Sequence, residues 1–169
     1  MTTANIAVLQ TAHQRLSTDQ VGVTPRYLIA ILLATIPTLT DETPLLSRAQ
    51  WNEDGSVTWQ ILAVDGQRLV RIEVSGSLPD DSTRDRPIQA TAQRATIAPI
   101  KGSVTKVDLT VKGTSGWREQ DIRWQTTWTI HFADGETLTV PDEQESQLHD
   151  DRERIDHFVQ GFIAAALPR

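Results

Sequence analysis

Hydrophobic positions along this chain follow a helical period at both ends and a strand period between them. Near the start, Ile6, Leu9, His13 and Leu16 fall at three- and four-residue spacing, which predicts a helix with Thr3 placed to cap it. A polar connector, Ser17–Val23, ends that helix. Thr24 and Pro25 predict a second start, because the threonine hydroxyl accepts from an orphan amide and proline at the first helical position gives up no hydrogen bond. This second helix is expected to run to Ile36 and stop before Pro37. From Tyr27 to Ala34 it is apolar nearly all round, so it needs cover on more than one side, from its own domain or from a second subunit.

From Arg48 to Pro141 the period changes to two. Asp54-Gly55, Asp65-Gly66 and Asp134-Gly135 each separate alternating segments, and Asp-Gly suits the backbone of tight hairpin turns. Strands are predicted near 48–53, 56–64, 67–75, 88–98, 104–112, 122–133 and 136–141. Neighbours joined by tight turns must be antiparallel. Alternation also assigns faces. Ile122, Trp124, Thr126, Trp128, Ile130 and Phe132 are expected on the core side, opposite Arg123, Gln125, Thr127, Thr129 and His131. Val107, Leu109 and Val111 are expected in the core opposite Lys106, Asp108, Thr110 and Lys112, and Val70, Ile72 and Val74 opposite Leu69, Arg71 and Glu73. Trp51 and Trp59 are assigned to the core as well. The stretch Ser75–Pro87 carries turn formers and no apolar period, so it reads as the most mobile segment.

Beyond Asp142 the helical period returns. Ile155, Phe158, Val159, Phe162, Ile163, Ala166 and Leu167 form one apolar stripe, and Asp150 with Glu153 makes a capping-box pattern. The predicted architecture is therefore α+β: two N-terminal helices, then a seven-stranded antiparallel bent sheet or small barrel closed by a C-terminal amphipathic helix. Residues 1–44 are expected to form a helical extension packed on a pleckstrin-homology-like domain spanning 45–169.

Seven antiparallel strands followed by one amphipathic helix, from about Arg48 to Leu167, resemble the pleckstrin-homology superfold, in which a bent two-sheet barrel is plugged at one end by that helix. The tryptophan that the eukaryotic family places in its last helix is absent, and Phe158 and Phe162 occupy the equivalent face. The hairpin Trp51–Trp59 carries Glu53 and Asp54 in place of the basic cluster of lipid-binding members. The cone of the nuclear-transport-factor-like superfamily and the helix-grip fold are alternatives. The final helix favours the first resemblance, and the two N-terminal helices favour the cone.

Composition narrows the chemistry. The chain of 169 residues has no cysteine, which excludes disulfides, cysteine-ligated zinc, iron–sulfur clusters and thiol catalysis. Met1–Asn5 holds no basic residue, and no signal-peptide pattern follows, so cytoplasm is the expected location. The longest apolar run, Tyr27–Ile36, would cover only about 15 Å as a helix, half of a bilayer core. The formal net charge of −6 is unevenly spread: Asp134–His157 holds nine acidic and two basic residues, while Arg84–Lys112 holds six basic and two acidic ones.

Candidate chemistry is sparse. His149, Glu153 and His157 share one helix face at metal-ligand spacing, but on the side away from the apolar stripe, where a solvated charged face is the simpler reading and no metal is expected. His131, on the wet side of its strand, is the acid–base candidate, with Glu136 or Thr137 across the hairpin as expected partners. No Gly-x-Ser-x-Gly elbow exists, and the loop Lys112–Arg118 has its lysine in the wrong place for a P-loop. No catalytic residue and no cofactor is assigned. Trp117 and Arg118 in that loop, with Tyr27 and Ile31 on the apolar helix, are the expected partner contacts. Arg94, Lys106 and Lys112 are the expected anion contacts, too sparse for a nucleic-acid footprint.

The expectation is a non-enzymatic protein-interaction or assembly domain, with a protein partner or self-association. The alternative is a small-molecule binding protein or enzyme with a pocket between sheet and helix. A first prediction concerns stability. Five large apolar side chains of the last helix bury at about 1.5–3 kcal/mol each, on the order of 10 kcal/mol before entropy. A chain truncated after Pro141 is therefore expected to be unfolded by circular dichroism, and a cooperative unfolding transition in that truncation would contradict it.

Overall fold

A computed structural model describes residues 6–16, 21, 24–78, 90–114, 123–141 and 149–166. Among the described residues three helices and seven strands follow one another in the order α1 (Ile6–Leu16), α2 (Arg26–Thr35), β1 (Leu45–Trp51), β2 (Val57–Asp65), β3 (Arg68–Gly76), β4 (Ala90–Pro99), β5 (Val104–Thr114), β6 (Arg123–Phe132), β7 (Thr137–Val140) and α3 (His149–Ala166). The α+β class is as expected. The single bent sheet is not: the strands form a four-stranded sheet in the order β1-β2-β3-β4 and a three-stranded sheet in the order β5-β6-β7, and among the described residues no barrel closes. Alternation identifies residues that make strands, but it is blind to where a ladder between successive strands is broken. The chain divides into two compact units, Met1–Ala98 and Pro99–Arg169.

The three Asp-Gly pairs all sit in hairpins. Gly55, Gly66 and Gly135 have φ of 79°, 61° and 86°, and among the described residues none other than glycine has positive φ, so the turn chemistry of these hairpins rests on these positions. Asp65 pairs with Arg68, which leaves Gly66 and Gln67 as a two-residue loop whose first residue alone is left-handed, the II′ pattern. The other two are three-residue loops ending in glycine. In each, the aspartate Oδ1 accepts the N–H two residues on: Ser56 at 2.9 Å for Asp54, and Glu136 at 3.0 Å for Asp134.

In the first unit, α1 contacts β1 and α2 contacts β3. The register Ala49↔Trp59↔Val74 and Ser47↔Ile61↔Ile72 puts one apolar face of the sheet together. Trp59 is its largest fully buried side chain, and Leu28, Leu32 and Ile36 of α2 and Leu16 of α1 join the same cluster. Pro25 rather than Thr24 is the N-cap of α2: its carbonyl accepts from Leu28 at 3.1 Å, and no side chain caps the helix. The helix ends as expected, with the Ile36 N–H bonded to the Leu32 carbonyl at 2.8 Å.

Several face assignments change. α1 buries Ala12 and Leu16, while Ile6, Leu9 and His13 are exposed. Leu69, expected on the wet side, is buried with Leu46, Leu62 and Val64, so this part of the sheet is dry on both faces and does not alternate. Trp51, expected in the core, is 52% exposed at the end of β1. In α3, Ile155, Phe158, Val159, Phe162 and Ala166 are buried as expected and the two phenylalanine rings pack, tilted by 38°, with centroids 5.5 Å apart; Leu167 lies outside the described residues. The helix starts at His149, one residue before the predicted cap Asp150. No described helix is long and apolar enough to cross a membrane.

Gly76 shows how tightly α2 is seated. A Cβ there would stand 2.6 Å from the Tyr27 hydroxyl oxygen and 2.8 Å from Cζ, and the Tyr27 ring is itself held edge-on to Trp59 at 6.1 Å. Gly76→Ala is therefore expected to cost about 1–3 kcal/mol in urea denaturation, as overpacking does. Tyr27→Phe, which removes the nearest atom, should recover part of that loss in the double variant. Strict additivity of the two substitutions would contradict the contact.

Candidate functional site

The three-stranded sheet carries the chemistry. β5 pairs antiparallel with β6 from Val104↔Phe132 to Thr114↔Arg123, with a bulge at Thr105 between the Val104 and Lys106 pairs. The extra residue reverses the face of everything before it. Val104 thereby turns to the side of Phe132, where both are buried, while Lys106, also an even-numbered position, turns to the side of His131. Beyond the bulge strict alternation resumes, so Lys106, Asp108, Thr110 and Lys112 share the wet face with Thr127, Thr129 and His131.

On that face Asp108 gathers a lysine and a histidine. Its Oδ1 accepts from Lys106 Nζ at 2.8 Å and its Oδ2 faces His131 Nε2 at 3.0 Å. Lys106 is directly opposite His131 and Asp108 directly opposite Thr129, so the histidine reaches its carboxylate diagonally. The hydrogen bond from Lys106 and then that of His131 hold the Asp108 carboxyl below the ordinary carboxylate range, against a partial desolvation that pushes it up. His131 does stand opposite Thr137 in the ladder with β7, but its acidic partner is Asp108 and not Glu136.

The other face of β5 departs from expectation. Leu109 is 48% and Val111 55% exposed, although alternation assigns both to the core. Their partners on β6 are Trp128 and Thr126, both half-buried. β5 is also an edge: among the described residues, only β6 pairs with it. Half of its backbone N–H and C=O groups therefore point away from any described ladder.

The remaining expected site residues are scattered. Tyr27 and Ile31 pack, half-buried, against the core cluster of the first unit; burial pushes the Tyr27 hydroxyl up to about 12, and the hydroxyl donates to the Ser77 carbonyl at 3.4 Å. On α2 only Arg26, Ala30 and Ala34 are exposed, so the apolar residues of this helix are largely covered by its own unit. Trp117 and Arg118 lie outside the described residues, as do Arg84 and Arg86. Arg94 is exposed on β4. Lys106 and Lys112 share a face, but six residues of strand hold them about 20 Å apart, with Asp108 between. His157 is exposed, and the side chains of His149 and Glu153 lie outside the described residues. Among the described residues no three potential ligands cluster around a metal position. What sequence reasoning missed is Asp108 as the shared acceptor and β5 as the exposed apolar strand; the alternation of Lys106 and Asp108 was the available signal for the first.

No family model, no curated protein and no solved structure matches this chain.

The lowered Asp108 carboxyl has a consequence in acid. Its contribution to stability is complete above its ordinary value of 3.8 and is lost as pH falls through the lower folded-state value. Asp108→Asn is expected to reduce the drop in the urea midpoint below about pH 4, leaving the share that Asp54, held down by Ser56, contributes in the same direction. Acid limbs that coincide for wild type and variant would contradict this assignment.

Proposed function

We propose that this chain is a non-enzymatic, cytoplasmic protein-interaction domain that takes its partner on the edge and apolar face of β5. One observation carries the reading: a strand of eleven residues, Val104–Thr114, stands at the edge of its sheet with Leu109 and Val111 half in water. An edge strand offers backbone hydrogen bonds to any extended segment, and exposed apolar side chains on one face reward the partner that covers them. The pleckstrin-homology-like reading of the strand and helix region is retained as part of this proposal. A four-stranded and a three-stranded sheet, each with its strands in chain order, and an amphipathic helix after the last strand support it. The contact surface is moved from α2, whose apolar residues are used internally, to β5.

The His131–Asp108 contact at 3.0 Å supports a second reading, an acid–base site with an imidazole oriented by a carboxylate. It ranks lower because the same carboxylate is engaged by Lys106 at 2.8 Å, and a carboxylate shared with a lysine is a poor orienting group for an imidazole that must gain and lose a proton.

Affinity capture from the native host, with the full chain as bait and mass spectrometry as readout, tests the first reading. Leu109→Lys combined with Val111→Lys is expected to lower specific capture by about tenfold or more, since interface energy concentrates in a few covered apolar anchors. Both positions are half-exposed, so the thermal midpoint should stay close to wild type. Equal capture by the folded variant and the wild type would sink the reading.

A further inference from the structure

The order of residues along β5 selects an occupant for its free edge. We propose that β5 pairs antiparallel with β5 of a second copy of this chain, about a two-fold axis through Thr110; this rests on β5 being the contact strand, as above.

Register decides between the possible pairings. Two identical strands side by side and antiparallel are related by a two-fold axis normal to the sheet, which keeps each face on its own side and pairs even positions with even and odd with odd. Only a few axes are then available along β5, and each makes different neighbours. An axis at Asp108 sets that carboxylate against itself, and an axis at Leu109 sets Lys106 against Lys112, so both place like charges in contact. An axis at Val107 matches Lys106 with Asp108 but runs Leu109 against Thr105, the bulged residue, where the ladder is already broken. An axis at Val111 leaves Asp108 facing Thr114 and matches no charge.

The axis at Thr110 is different on both faces. On the wet face Asp108 of each copy stands opposite Lys112 of the other, twice, with Thr110 opposite itself. On the apolar face Leu109 of each copy stands opposite Val111 of the other, also twice. These are the two β5 residues whose exposure alternation did not anticipate. Thr105 and its bulge fall outside the paired segment. Lysine on an edge strand ordinarily discourages pairing. Here Lys106 is engaged by Asp108 within its own chain, and Lys112 is answered by the partner copy's carboxylate only in this register, so the same charges that deter other pairings select this one. The result is a six-stranded sheet in the order β7-β6-β5-β5-β6-β7.

The chain lacks cysteine, so a single introduced thiol reports position without ambiguity. At Thr110 the two copies of one residue meet at a Cα separation of about 4.5–5.5 Å, within the range a disulfide spans. Thr110→Cys is expected to give a covalent dimer on mild oxidation, at protein concentrations where Thr105→Cys, about ten residues of strand from its own copy in this register, stays monomeric. Separately, sedimentation equilibrium should show a concentration-dependent dimer for the wild type. Asp108→Lys or Lys112→Asp alone should abolish it, and the two together should restore it. Restoration cannot come from within one chain, where Asp108→Lys still faces Lys106 and His131. Cross-linking at Thr110 no greater than at Thr105, or a wild type monomeric at every concentration, overturns the proposal. If at the same time the Leu109→Lys, Val111→Lys variant still loses captured protein, self-pairing falls while β5 as a contact strand stands.

Discussion

The bulge at Thr105 decides what the second unit presents to its surroundings. A strand keeps strict two-residue alternation, so without an inserted residue Val104 would share a face with Lys106, and one of them would be misplaced. With the insertion, Val104 and Phe132 are buried together, and Lys106, Asp108 and His131 form a polar cluster on the opposite side. The same parity then commits Val107, Leu109 and Val111 to the apolar face, where cover is adequate around Ile130 and fails toward the end of β5. Charge, exposure and pairing along β5 all depend on this phase.

The two units treat the same requirement in different ways. In the first, α1 and α2 cover one face of the sheet, and the fit is close enough that Tyr27 rests on the backbone of Gly76 and against the edge of Trp59. A helix apolar on nearly all sides is thereby accommodated with only small residues and one arginine exposed. In the second, the apolar stripe of β5 extends past the point where its neighbours on β6 are buried, and the strand is at an edge. Exposed apolar area joined to unpaired backbone is an aggregation hazard unless it is used. That contrast is what separates β5 from α2 as a contact surface in the proposal above.

Much of the fold was legible because local chemistry carried it. Each Asp-Gly pair marked a hairpin, since the left-handed φ of Gly55, Gly66 and Gly135 leaves few other residues possible. The stripe from Ile155 to Ala166 located α3 and its buried face. Local pattern failed where burial is two-sided or the pairing is long-range. Leu45, Leu46 and Leu69 do not alternate because both faces of the first sheet are dry there, which moved the start of β1 and misassigned Leu69. The partner of His131 was not legible because residues 115–122 separate β5 from β6 in the sequence, so no adjacent turn pair announces their register, and Asp108 reaches the ring only across that ladder. The division into two sheets was missed for the related reason that strand-forming sequences do not encode which successive strands exchange hydrogen bonds.

The central claim is that the outer edge of β5 is a pairing surface, and amide hydrogen exchange reads that edge directly. Amides of β5 that point away from β6 have no acceptor in the isolated sheet, and in the paired state they donate to a neighbouring strand. The account predicts that alternate amides between Asp108 and Lys112 exchange slowly at high protein concentration and lose that protection on dilution, while those bonded to β6 stay protected throughout. Outer-edge amides that exchange freely at every concentration, with the rest of β5 protected, would contradict it.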